Sequence, residues 1–151
     1  MKFSTRNDTD LAADALFDRF TDFARMERVL IARGASVKRI DPGQNPGMGM
    51  GWDIDFDWRG RARHLRLAVT RFDRPERVTM AGLSDAFDIT IDCTVIALSR
   101  VRSRLIFETD IRPRNMRARL MLQTAKLGKT QLSQKFDRRI TEFLTQLGAM
   151  G

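Results

Sequence analysis

Residues 52–58 read WDIDFDW, an unbroken alternation of large apolar and acidic residues. Successive side chains of a strand point to opposite faces. The stretch therefore predicts a half-buried strand, with Trp52, Ile54, Phe56 and Trp58 toward a core and Asp53, Asp55 and Asp57 in water. The next period-two stretch, Arg61 to Phe72, fixes a register if Arg59 and Gly60 form a hairpin tip. Trp52 then lies opposite Leu67 and Ile54 opposite Leu65, while Asp53 meets Arg66 and Asp55 meets His64. Slipping by one residue would destroy the apolar and the acid–base matches together.

The same period runs from Ala35 to Arg112, broken by DPGQNPGMGMG, RG, DRPE, LSDA and SRVRS. Ile89, Ile91, Cys93 and Val95 share a face, as do Leu105, Phe107, Thr109 and Ile111, with Asp88, Asp92, Glu108 and Asp110 turned away. The expectation is an antiparallel sheet of about six or seven strands covered on one side.

Helical spacing flanks this block. KFSTRND reads as a first strand, followed by apolar residues at Leu16, Phe17, Phe20, Phe23, Met26, Val29 and Leu30. These predict two short helices broken near Thr21 and Asp22, with Asp22 capping the second and Gly34 ending the stretch. Pro113 closes the last strand, and Asn115 is the N-cap of one long helix reaching about Leu147, roughly 50 Å at 1.5 Å per residue. That helix is the element long enough to cover the sheet. Its apolar stripe comprises Ala118, Leu122, Ala125, Leu132, Phe136, Ile140, Phe143 and Leu147, and Lys129 falls within about 20° of the stripe's centre. Met116, Leu120 and Leu127 lie on the opposite side, flanked by Arg117, Arg119 and Lys126.

The chain of 151 residues fits a single domain, residues 1–151, able to bury about 70% of its unfolded surface without disulfides. Cys93 is the only cysteine, and neither a charged-then-apolar leader nor a long apolar run is evident, so a soluble, reducing, cytoplasmic setting is expected. The net charge of +8 is unevenly placed: Met1 to Asp110 holds 18 basic and 17 acidic residues, Ile111 to Gly151 holds 9 and 2. Nucleic-acid binding by the basic helix ranks last, because no stacking aromatics are interleaved with its charges.

Several motifs reduce to ordinary roles. GMGMG has neither the spacing nor the following helix of a phosphate cradle. His64 stands alone beside Asp55 and cannot build a zinc site, and the aspartate row lacks the glycine and terminal glutamate of a calcium loop. No metal and no cofactor is expected. Cys93 is a small apolar filler without an activating base.

The order strand, two short helices, antiparallel strands and long C-terminal helix resembles the helix-grip fold of the START and Bet v 1-like superfamily (SRPBCC), an α+β architecture with a curved sheet wrapped on that helix. The chain is most similar there to bacterial proteins of the polyketide cyclase/dehydrase and lipid-transport group. The resemblance rests on DLAADALFDRFTDFARME, on PGMGMGW before an aromatic strand, and on RPRNMRARLMLQTAKLGKTQLSQKFDRRITEFL as the closing helix. It implies a cavity between sheet and helix for a small apolar or amphipathic molecule, but no one reaction. Trp52, Ile54, Phe56, Trp58, Phe107, Leu122 and Ala125 would line it, and Arg63 and Lys129 would meet an anionic or carbonyl end. A lysine in an apolar stripe must otherwise snorkel or face water. The alternative is a cyclase or dehydratase-like enzyme using Lys129 or Arg63 to stabilise an enolate, against which stands the lack of a convergent acid and base. The second apolar face, Met116, Leu120 and Leu127, suits a homodimer or an anionic membrane surface.

Overall fold

The structure is a computed structural model that describes residues 1–40, 47–58 and 60–149, without the side chains of Trp58, Ile140 and residues 143–149. The chain runs β1 (Lys2–Thr9), α1 (Ala13–Phe20), α2 (Phe23–Ala32), β2 (Ser36–Arg39), β3 (Gly51–Trp58), β4 (Arg61–Asp73), β5 (Arg77–Leu83), β6 (Phe87–Ala97), β7 (Ser103–Pro113), α3 (Met116–Lys126) and α4 (Lys129–Ala149). Among the described residues the strands form one antiparallel sheet of seven, ordered β1-β7-β6-β5-β4-β3-β2.

Trp52 pairs with Leu67, Asp53 with Arg66, Ile54 with Leu65, Asp55 with His64 and Phe56 with Arg63, the register that the alternation and a two-residue tip require. Gly60 at that tip has a φ of +73°, a conformation with little cost for glycine. Across the hairpin the outer face carries its charges in pairs: Arg66 Nε donates to Asp53 at 2.9 Å, and His64 Nδ1 lies 2.8 Å from Asp55.

All helices that pack on the sheet do so on one face. β1 and β2 lie at opposite edges, so the chain between them crosses beneath the sheet as α1 and α2. Asp22 caps α2 by accepting from the Arg25 amide at 3.2 Å. Leu16, Phe17 and Phe23 descend onto Val69, Val78, Cys93, Val95 and Leu105 and form the core. The C-terminal helix is thus not the sole cover of the sheet: the short helices close one end of the inner face, because their crossover spans its whole width.

The expected single helix from Asn115 is two. Asn115 does cap α3, its side chain accepting from the Ala118 amide at 2.8 Å. The regular ladder then tightens where Leu127 and Gly128 donate to Thr124 and Ala125, three residues back. α4 restarts at Lys129 and packs on β1 at the sheet edge. Glycine is a poor helix former, so the break falls where continuity is least favoured. No helix among the described residues is long and apolar enough to cross a membrane.

Candidate ligand cavity

Under α1 and α2 the inner face is fully packed. Trp52 is 0% exposed, its ring 5.2 Å from that of Phe23, and Phe72 lies 5.3 Å from Phe17. The Trp52 indole N–H donates to Glu27 Oε1 at 2.7 Å, with Arg39 at 3.9 Å from the same carboxylate. Trp52 is therefore spent on the core beneath α2, and Ile54, also buried, adjoins it in β3.

Farther from α1 and α2 the same face is only half-buried. Phe56, Leu65, Met80, Ile91 and Phe107 continue the apolar surface from β3 across to β7. Gly82 sits within this surface, facing Leu67 on one side and Ile89 on the other. A Cβ there would meet Leu65 Cδ1 at 3.1 Å, so the missing side chain is what lets Leu65 lean across β5. At the β7 side of this surface α3 packs on β7 with Ala118 buried and Leu122 and Ala125 half-buried, and α4 carries Phe136. Phe136 stacks at 5.4 Å on Phe107 and 5.8 Å on Phe3, closing the space on the β1 side.

Arg63 stands half-buried opposite Phe56, at the far end of the same surface. Phe107, Leu122 and Ala125 thus gather at the β7 side, and Phe56 with Arg63 at the β3–β4 side. The Trp58 side chain lies outside the described residues. Lys129 is exposed at the first position of α4. Lys129 still shares the face of Phe136, seven residues on in α4, but it stands in the first turn of that helix, where its side chain is in water.

Polar groups on the inner face are few. The Thr5 hydroxyl and Asn7 Oδ1 are buried without a hydrogen-bond partner among the described residues, while Asn7 Nδ2 donates to Thr141 Oγ1 at 3.2 Å. These two side chains on β1 escaped sequence reasoning, since that strand alternates weakly and contains no large apolar residue beyond Phe3. Burial pushes the Cys93 thiol up to about 12, with Asp92 adding to the shift, so it stays protonated and unreactive at neutral pH. His64 lies on the outer face, where its hydrogen bond to Asp55 holds it above the ordinary histidine value. Among the described residues no group of three His, Cys, Asp or Glu is placed to hold a metal. A separate depression of about 240 Å³ lies between α3 and the start of β1, lined by Met1, Pro113, Arg119, Leu122, Gln123 and Lys126.

No protein-family model matches the chain, and no curated protein matches it in sequence. Solved structures share its architecture at low identity. The Zhui aromatase/cyclase from a Streptomyces species is 13% identical, with 97% of this chain and 93% of that chain covered and a TM-score of 0.68. A protein from Thermus thermophilus is 8% identical over 100% of this chain and 99% of that one, with a TM-score of 0.71. A START superfamily protein from Mycobacterium smegmatis is 13% identical over 94% and 98%, with a TM-score of 0.57. At such identities the likeness concerns the fold: this chain has the helix-grip fold of the START and Bet v 1-like (SRPBCC) superfamily.

Proposed function

We propose that this helix-grip chain acts as one domain, residues 1–151, that holds a small apolar or amphipathic molecule between the sheet and its C-terminal helices. The observation that carries the reading is the half-buried apolar surface of Phe56, Leu65, Met80, Ile91 and Phe107, which α1 and α2 leave only half-covered and which meets α3 and Phe136 at its β7 side. Apolar side chains concentrated on one inner wall, with a few polar groups at its margins, are the usual make-up of a ligand site. Arg63 at one margin suits an anionic or carbonyl end, and Thr5 at the other offers a hydroxyl. The outward position of Lys129 leaves Arg63 as the stronger candidate for the ligand's polar end.

A cyclase or dehydratase-like activity, of which cyclase is the chemistry named for the Streptomyces neighbour, has less support here. The Glu27 carboxylate is engaged by Trp52 in the core, and the Cys93 thiol is held protonated. A thiol held protonated cannot serve as a general base at neutral pH.

Titration with an apolar fluorescent probe tests the binding reading. Saturable one-to-one binding is expected, with Phe56→Asp weakening it by on the order of tenfold through loss of an apolar contact and introduction of an unpaired charge. Arg63→Met should weaken binding of a fatty acid more than that of its neutral alcohol. Non-saturable uptake of the probe by the folded wild type would refute the cavity.

A further inference from the structure

We infer that α3 is a docking helix for an anionic lipid bilayer: Met116, Leu120 and Leu127 enter the interfacial layer while Arg117, Arg119 and Lys126 reach the lipid phosphates. The helix is apolar on two sides. Its inner side is committed to the protein through Ala118, Leu122 and Ala125. Its outer ridge is exposed among the described residues, with Met116 65%, Leu120 56% and Leu127 90% exposed. At 100° per residue these three fall within about 20° of the line opposite Ala118, and Arg117, Arg119 and Lys126 fall on the two flanks. An apolar ridge with cations on both shoulders matches a helix lying in a membrane surface, where the long basic side chains rise to the phosphates.

The charge around the ridge points to the same occupant. Ile111 to Phe136 holds seven basic residues and no acidic one. Arg112 and Arg114 already pair with Asp110 and Asp88. Arg117, Arg119 and Lys126 form no ion pair among the described residues. Two of them, Arg119 and Lys126, also line the depression of about 240 Å³ beside α3, whose other walls are Gln123 and the apolar Met1, Pro113 and Leu122. Cations and an amide above an apolar floor suit a phosphate head with the first carbons of its chains. A second copy of this chain is a poorer fit, because a two-fold axis through the ridge would set each basic flank against the other copy's.

Vesicle sedimentation tests this with the protein as it stands and no added ligand, so the outcome is independent of whether the cavity binds anything. With vesicles of phosphatidylcholine containing about a third phosphatidylglycerol, uptake at low salt should exceed that by pure phosphatidylcholine by on the order of 100-fold, and should fall steeply as salt shortens the Debye length. Leu120→Glu with Leu127→Glu should abolish uptake, and Arg119→Gln with Lys126→Gln should lower it by on the order of tenfold. Circular dichroism checks that each variant is folded, as expected for exposed positions. Equal uptake by neutral and acidic vesicles, undiminished uptake by the leucine variant, or a wild-type dimer that the leucine variant dissociates would each overturn the proposal, the last by giving the ridge to a second copy.

Discussion

Trp52 and Glu27 show how one residue's burial dictates another's role. A fully buried indole cannot reach water, so its N–H must find an acceptor within the protein, and Glu27 Oε1 supplies it at 2.7 Å. Removing the acceptor leaves the donor stranded. Glu27→Ala is expected to destabilise the fold by about 1–3 kcal/mol in urea denaturation, and Glu27→Gln, which keeps a carbonyl acceptor, by less. Equal stability of Glu27→Ala and wild type would mean that the bond contributes nothing. Cys93 illustrates the converse case: a group with a weak need for partners can be buried among Val78, Val95 and Phe107 at little cost, and burial then makes it inert.

Between elements, the join of α3 to α4 decides which side chains meet the sheet. Gly128 has an ordinary negative φ, and a Cβ there would find only the Ala125 carbonyl, at 3.9 Å. Nothing steric requires glycine, while the added side chain restricts the unfolded state. Gly128→Ala should therefore stabilise the protein by about 0.4–1 kcal/mol in chemical denaturation. A loss of stability would show instead that the tight turn at Thr124–Gly128 depends on glycine. Gly82 differs: its Cβ would press on Leu65 at 3.1 Å, and the substitution there is a packing change rather than a backbone one.

Across the whole molecule, stability at low pH follows from where its carboxylates are placed. Arg104 pairs with Asp8 at 2.7 Å between β7 and β1, Arg74 with Asp18 at 2.7 Å between the β4–β5 turn and α1, and Arg66 with Asp53 at 2.9 Å. Hydrogen bonding to the guanidinium holds each of these carboxyls below its ordinary value. A lowered folded pKa contributes stability that is present above the unfolded value and lost as pH falls through the folded one. Neutralising carboxylates also raises a net charge that already stands at +8. Melting temperature should thus fall below about pH 4, and fall slightly again as pH rises past the raised value of His64, whose charged form Asp55 favours. Asp18→Asn should lower it near neutrality and flatten part of the acid slope; an acid slope identical to that of wild type would remove this pair from the account. All three pairs are solvent-exposed, so each effect is small.

The alternation of WDIDFDW and the two-residue spacing between Trp58 and Arg61 determined the β3–β4 register, because both act over neighbouring residues and a slip would invert every side chain at once. The caps at Asp22 and Asn115 and the outward ridge of Met116, Leu120 and Leu127 were equally local, each set within a turn or two of helix. The tertiary structure decided what depends on distant parts of the chain meeting. Trp52 shares the strict alternation of Phe56, yet it is fully buried and Phe56 only half-buried, because α1 and α2 cross under one end of the sheet and not the other. Glu27 finds the Trp52 indole across 25 residues of sequence, which no periodicity encodes. Lys129 shares the face of Phe136 in α4 and yet is exposed, because it stands in the first turn of that helix, and which part of a helical face is covered depends on where the packed helix meets the sheet.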